Sequence, residues 1–100
     1  MSEKNLGIIG GGQLGSLLSI AAKKLNIKTT VYCDDEDAPA QNFCENFIFA
    51  KYDDKQKILD FVNKVDLVTY EFENIPYETL NEINKLKPVL PKPSVNRLIQ

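Results

Sequence analysis

Residues 6–15, LGIIGGGQLG, constrain this chain more than any other stretch. The apolar run of Leu6, Ile8 and Ile9 is long enough for a short buried strand. Gly10, Gly12 and Gly15 follow at the G-x-G-x-x-G spacing of the strand-to-helix turn in dinucleotide-type folds. Gly10 allows the tight turn, Gly12 leaves room for a ligand's phosphate or sugar, and Gly15 lets the new helix pack closely on the strand. The unpaired N–H groups of the helix start point outward with the positive end of the helix dipole behind them. They form an anion site that needs no basic side chain. The spacing alone also describes a purely structural turn. The strand before it and the helix after it favour a nucleotide-like or phosphate-bearing ligand.

After the glycines, Leu14, Leu17, Leu18, Ala21, Ala22 and Leu25 recur at helical spacing and predict an apolar stripe, with Lys23 and Lys24 at the C-terminal end and Asn26 as a left-handed terminator. Residues 28–33, KTTVYC, are β-branched and aromatic and predict a second parallel strand. Ala38, Pro39 and Ala40 suggest a short helical turn. Residues 46–50, NFIFA, form a third strand, and Asp53 or Asp54 caps a helix whose inner face is Ile58, Phe61, Val62 and Val65. Residues 66–73, DLVTYEFE, predict a fourth strand with Leu67 and Val68 buried. It places Tyr70 and Phe72 on one face and Glu71 and Glu73 on the other. A further helix turns Leu80 and Ile83 inward and stops at Pro88. An extended segment follows, and Ser94 caps a final helix. The order is that of an α/β fold, a Rossmann-like doubly wound and mainly parallel sheet of about five strands with flanking helices.

Two carboxyl clusters stand at strand ends. Asp34, in the run Asp34, Asp35, Glu36 and Asp37, lies where a dinucleotide fold often puts the carboxylate that accepts hydrogen bonds from a ribose; a solvated loop has the same composition. In the common strand order 3-2-1-4 the end of the fourth strand lies beside the glycine turn, at the switch point where such sheets bind ligands. Glu71 and Glu73 are therefore placed to accept hydrogen bonds from ribose hydroxyls or an amine while the turn amides hold an anion, or else are two exposed acids on a loop.

Composition narrows the classes. Twelve basic and fourteen acidic residues give a net charge of -2 with no basic face, which argues against nucleic acid. Cys33 and Cys44, without histidine or CxxC spacing, argue against a zinc or redox site and fit a reducing, cytoplasmic setting. No apolar run approaches a membrane span, and the first five residues are too polar and short for a signal peptide.

GIIGGGQLG, DDEDAPA and VTYEFENIP, in that order, resemble the N-terminal preATP-grasp domain of the N5-carboxyaminoimidazole ribonucleotide synthetase family, the ATPase subunits of the phosphoribosylaminoimidazole carboxylase system. The resemblance covers almost the whole chain. It implies a domain over residues 1–93, with 94–100 starting the connection to an ATP-grasp domain, in a homodimeric ligase of purine biosynthesis. ATP, Mg2+ and bicarbonate would give carboxyphosphate, whose CO2 unit passes to the exocyclic amine of 5-aminoimidazole ribonucleotide. The family's ATP and metal ligands lie beyond residue 100, so the resemblance implies no catalytic residue here and no activity for this chain alone. It does imply a substrate-binding set of Gly12, Gln13, Leu14, Gly15 and Glu73, with Glu71 and Asn74 beside them. Ser16 departs from the arginine usual in the family. The alternatives are an NAD(P)-binding domain, with Asp34 on the ribose, and a non-catalytic nucleotide-binding module.

Overall fold

The computed structural model describes residues 4–71 and 75–90. Five parallel strands, β1 (Asn5–Ile9), β2 (Lys28–Cys33), β3 (Asn46–Phe49), β4 (Leu67–Tyr70) and β5 (Val89–Leu90), form one sheet in the order β3-β2-β1-β4-β5. Helix α1 (Gln13–Lys24) connects β1 to β2, α2 (Lys55–Lys64) connects β3 to β4, and α3 (Tyr77–Asn84) connects β4 to β5. The strand order reverses at β1, so the chain winds outward in both directions from the strand that carries the glycine turn. The expected α/β doubly wound sheet is present.

Side chains alternate across the sheet, as the strand repeat requires. On the face covered by α2 and α3, Ile9, Tyr32, Val68 and Tyr70 pack with Phe61, Val62, Val65, Leu80 and Ile83. On the other face Ile8, Val31 and Cys33 pack with Ala38 and Ala40. The second group is smaller in number and in side-chain size.

The predicted inner face of α2 is correct, and of the two capping candidates it is Asp54 whose carboxylate accepts the Lys57 N–H, at 3.1 Å. Asn26 ends the α1 connection at φ 61, and the Ile27 amide returns to the Ala22 carbonyl, closing the helix in the left-handed manner expected. Pro39 stands in the first turn of a short 3-10 helix, Pro39–Asn42.

The predicted stripe of α1 is only partly the buried one: Ala22 is buried and Leu18 packs against the sheet, but the rest faces out. Leu14, Leu17 and Leu25 are 46%, 56% and 71% exposed, and Ala21 also faces out; the residues turned to the sheet are Gly15, Ser16, Ser19 and Ala22. The helix lies too close to β1 at the turn for leucines. Ser16 and Ser19 bury their hydroxyls by donating to the carbonyls of Gly12 and Gly15 one turn back, at 3.0 and 2.9 Å. The fourth strand is also shorter than the spacing suggested. It ends at Tyr70, and Leu67, expected inside, is half-exposed at its start. The expected cap at Ser94 and the outer end of the 66–73 strand lie outside the described residues.

Candidate functional site

β1 and β4 run side by side with Ile9 opposite Tyr70, so both strands end at the same edge of the sheet. The Glu71 amide still donates to the Ile9 carbonyl at 3.0 Å, which fixes this residue beside Gly10. Gly10 has φ 103, a conformation that L side chains rarely adopt, and a Cβ there would lie 3.1–3.2 Å from the Glu71 side chain. The turn therefore bends around Glu71.

The Glu71 side chain points into the turn. It is 4% exposed, accepts the Gly15 N–H on Oε1 at 2.5 Å, and accepts the Gly12 N–H on Oε2 at 3.3 Å. A buried carboxylate is tolerated only with such partners, and here the first-turn amides and the positive end of the helix dipole supply them. The anion expected at the glycine turn is present, and it belongs to the chain itself. The reading of Glu71 as one of two exposed loop acids is thus corrected. Its alternation pattern placed it on the face opposite Tyr70, but only the Ile9–Tyr70 register shows that this face meets the glycine turn.

Gly15 is needed for the same approach: a Cβ there would lie 2.8 Å from the Gly10 carbonyl oxygen and 3.1 Å from Glu71 Oε1. Gly11, which the G-x-G-x-x-G spacing leaves free, is also closed in. A Cβ on it would meet Ala38 Cβ at 2.6 Å, and its carbonyl accepts the Ala40 N–H at 3.0 Å. The only signal for this in the sequence is the third consecutive glycine.

Of the sequence-derived set, Gly12, Gln13, Leu14, Gly15 and Glu71 come together here; Glu73 and Asn74 lie outside the described residues, just after Glu71. Gln13 and Leu14 are exposed, and their amides, orphaned at the start of α1, have no acceptor among the described residues. Asp34 is exposed at the end of β2. Its neighbour Asp35 accepts the Asp37 N–H at 2.9 Å in a local turn, which accounts for part of the acidic run.

Behind β2 lies a phenolic cluster. Tyr32 donates to the Lys51 carbonyl and stacks edge-on against Phe61, while the Tyr52 hydroxyl donates to Cys33 Sγ at 3.9 Å. Burial, with the acids Asp54, Asp53 and Asp34 nearby, raises the Tyr32 phenol well above its ordinary value. Burial and the Cys33 and Asp34 neighbours do the same for Tyr52. These groups stay protonated and are structural. Among the described residues no group of three or more histidine, cysteine or acidic side chains is gathered to hold a metal. A surface depression lined by Ile20, Lys23, Lys24, Asn42 and Phe43 lies at the far end of α1 from the turn.

The profile of the ribonucleotide synthetase preATP-grasp domain matches residues 3–100. The chain belongs to this family. The N5-carboxyaminoimidazole ribonucleotide synthase of Staphylococcus epidermidis (strain RP62A) is 44% identical over 81 residues, which is 81% of this chain and 22% of that protein. Among solved structures, the Staphylococcus aureus N5-carboxyaminoimidazole synthetase complexed with ADP superposes with a TM-score of 0.90 at 36% identity, over 97% of this chain and 26% of that one. The Aspergillus clavatus synthase in complex with ADP and 5-aminoimidazole ribonucleotide superposes at 0.81 with 26% identity, over 95% and 26%. This preATP-grasp chain thus spans about a fifth to a quarter of the length of these relatives. Their names describe synthases or synthetases of N5-carboxyaminoimidazole ribonucleotide, and the two complexes hold ADP and, in one, 5-aminoimidazole ribonucleotide. Among the described residues of this chain no helix is long and apolar enough to cross a membrane.

Proposed function

We propose that this chain is the substrate-binding N-terminal part of a cytoplasmic, homodimeric ligase that carboxylates 5-aminoimidazole ribonucleotide with ATP and bicarbonate. The observation that carries this reading is the meeting of the glycine turn and Glu71 at the carboxyl ends of β1 and β4, in a chain of the preATP-grasp family. The complexes of its relatives with ADP and with the ribonucleotide support the choice of ligands.

In this reading the substrate lies over the exposed start of α1. The open amides of Gln13 and Leu14 donate to its polar oxygens, and Gly12 keeps that surface free of a side chain while Gly15 lets the helix start sit close to the turn. Glu73, close in sequence to Glu71 and followed by Asn74, accepts hydrogen bonds from the ribose hydroxyls or the exocyclic amine. A carboxylate near that amine favours the orientation that exposes the nitrogen lone pair to CO2. Carboxyphosphate forms from bicarbonate and the terminal phosphoryl group of ATP, with ADP leaving. It releases CO2 and phosphate, and the amine adds to the CO2 carbon, loses a proton, and becomes the carbamate. ATP and Mg2+ are held by the rest of the protein; no described group here fits a metal. Residues 1–93 act as one domain, and 94–100 lead toward the ATP-grasp part.

The test is ATP turnover by the whole protein as a function of 5-aminoimidazole ribonucleotide. Glu73→Gln should cut ribonucleotide-dependent turnover by at least about tenfold, the cost of one charge-assisted contact. Unchanged kinetics would remove Glu73 from the site. The 100-residue chain alone should hydrolyse no ATP, and hydrolysis by a clean preparation would overturn the division of labour.

A further inference from the structure

We infer that Glu71 is a specificity-determining residue: its carboxylate is the resident anion of the glycine turn, closing the Gly12 and Gly15 amides to phosphate and pyrophosphate groups of outside ligands. In folds with this turn a dinucleotide lays its pyrophosphate against the start of the first helix. Here that position is occupied from within. Glu71 is 4% exposed, its two oxygens take the Gly15 and Gly12 amides at 2.5 and 3.3 Å, and the missing side chains of Gly10 and Gly15 make room for it, since a Cβ on either would come within 3.1 Å of its carboxylate. A second anion within a few ångströms would be repelled in this poorly hydrated setting. The glycine pattern that suggests a dinucleotide cofactor is therefore kept for a different purpose, to seat an internal carboxylate. What the turn still offers an outside ligand is the pair of open amides on Gln13 and Leu14.

This deepens the proposed substrate site and rests on it for the identity of the ligand. Its test needs no substrate, so the two can fail separately. Glu71→Ala removes a CH2–COO unit, which is acetate in size. In the Met1–Gln100 chain this variant should melt about 10 °C lower than wild type. Acetate or formate at about ten times its Kd should restore roughly 6–10 °C in a saturable way, while chloride at equal ionic strength should not and wild type should not respond. Equal effects of acetate and chloride, or an equal response of wild type, would overturn the inference. Should Glu71→Ala give no folded transition, Glu71→Gln keeps the shape and removes the charge. The Gly15 amide proton, far downfield and slow to exchange in wild type, should then move upfield and exchange faster; an unmoved resonance overturns the assignment. Wild type titrated with NAD in a calorimeter should show no saturable heat, and a binding isotherm would equally overturn it.

Discussion

The two faces of the sheet are built by different rules. On the α2 and α3 face, large side chains fill a thick layer: Phe61 packs on Tyr32, and Ile9, Val62, Val65, Val68, Leu80 and Ile83 close around them. On the α1 face the layer is thin. Gly15, Ser19 and Ala22 bring the helix down onto the sheet, the buried apolar cluster is Ile8, Val31, Cys33, Ala38 and Ala40 with Leu18 packed against it, and Leu14 and Leu17 of α1 face outward. The first face derives its strength from apolar area removed from water. The second gives up such area for proximity, which lets the first-turn amides of α1 reach a carboxylate delivered by β4. Stability is concentrated on one side of the sheet, and the geometry of the site on the other.

Four measurements can break or sharpen this contrast. The largest effect is expected from Phe61→Ala, which should cost about 3–5 kcal/mol through the lost burial and the cavity left behind, read as a fall in the urea midpoint at constant slope. A loss below about 1 kcal/mol would mean that the thick face is not the main core. Next, Gly15→Ala places a methyl 2.8 Å from the Gly10 carbonyl. Despite the better helix propensity of alanine, it should destabilise by about 1–2 kcal/mol and weaken the protection of the Gly12 amide from exchange. Stabilisation instead would show that α1 has slack at the turn.

The third measurement is alkaline titration. Burial raises the phenols of Tyr32, Tyr52 and Tyr70, all on or against the thick face, above their ordinary value of about 10. The folded state then holds protons that the unfolded chain releases. Stability from these groups is complete below about pH 10 and declines as the pH rises beyond it. Tyr32→Phe should flatten that decline in unfolding curves taken from neutral to alkaline pH, and an unaltered slope would assign the effect elsewhere. The smallest change belongs to Leu17→Gln on the outer side of α1, where Leu17 is 56% exposed. Thermal unfolding of this variant should stay within about 0.5 kcal/mol of wild type. A loss of 2 kcal/mol or more, on the order of a buried leucine, would restore Leu17 to the core.

The same contrast explains what could be read from the residues in advance. On the thick face hydrophobicity and burial coincide, so the i, i+3, i+4, i+7 spacing of Ile58, Phe61, Val62 and Val65 pointed inward and does so. On α1 the periodicity of 3.6 admits two overlapping stripes, one of leucines and one of small residues. Hydrophobicity alone picks Leu14, Leu17 and Ala21, which face out, along with Leu18 and Ala22, which do not. The choice depends on how closely the helix approaches β1, a distance set by the turn and by Ala38 and Ala40 from another part of the chain. Gly11 was hidden for the same reason: its neighbour Ala38 is remote in sequence.

By itself, then, the sequence determined the alternation of strands and helices, the left-handed ending at Asn26, the turn at Gly10 and the large-residue core, because each rests on local dihedral preferences or on a hydrophobic period within one element. Tertiary structure decided which side of α1 is buried and where the Glu71 carboxylate goes. Both depend on spacing between β1 and β4, strands separated by most of the chain, and a carboxylate finds amide partners only where that register delivers it.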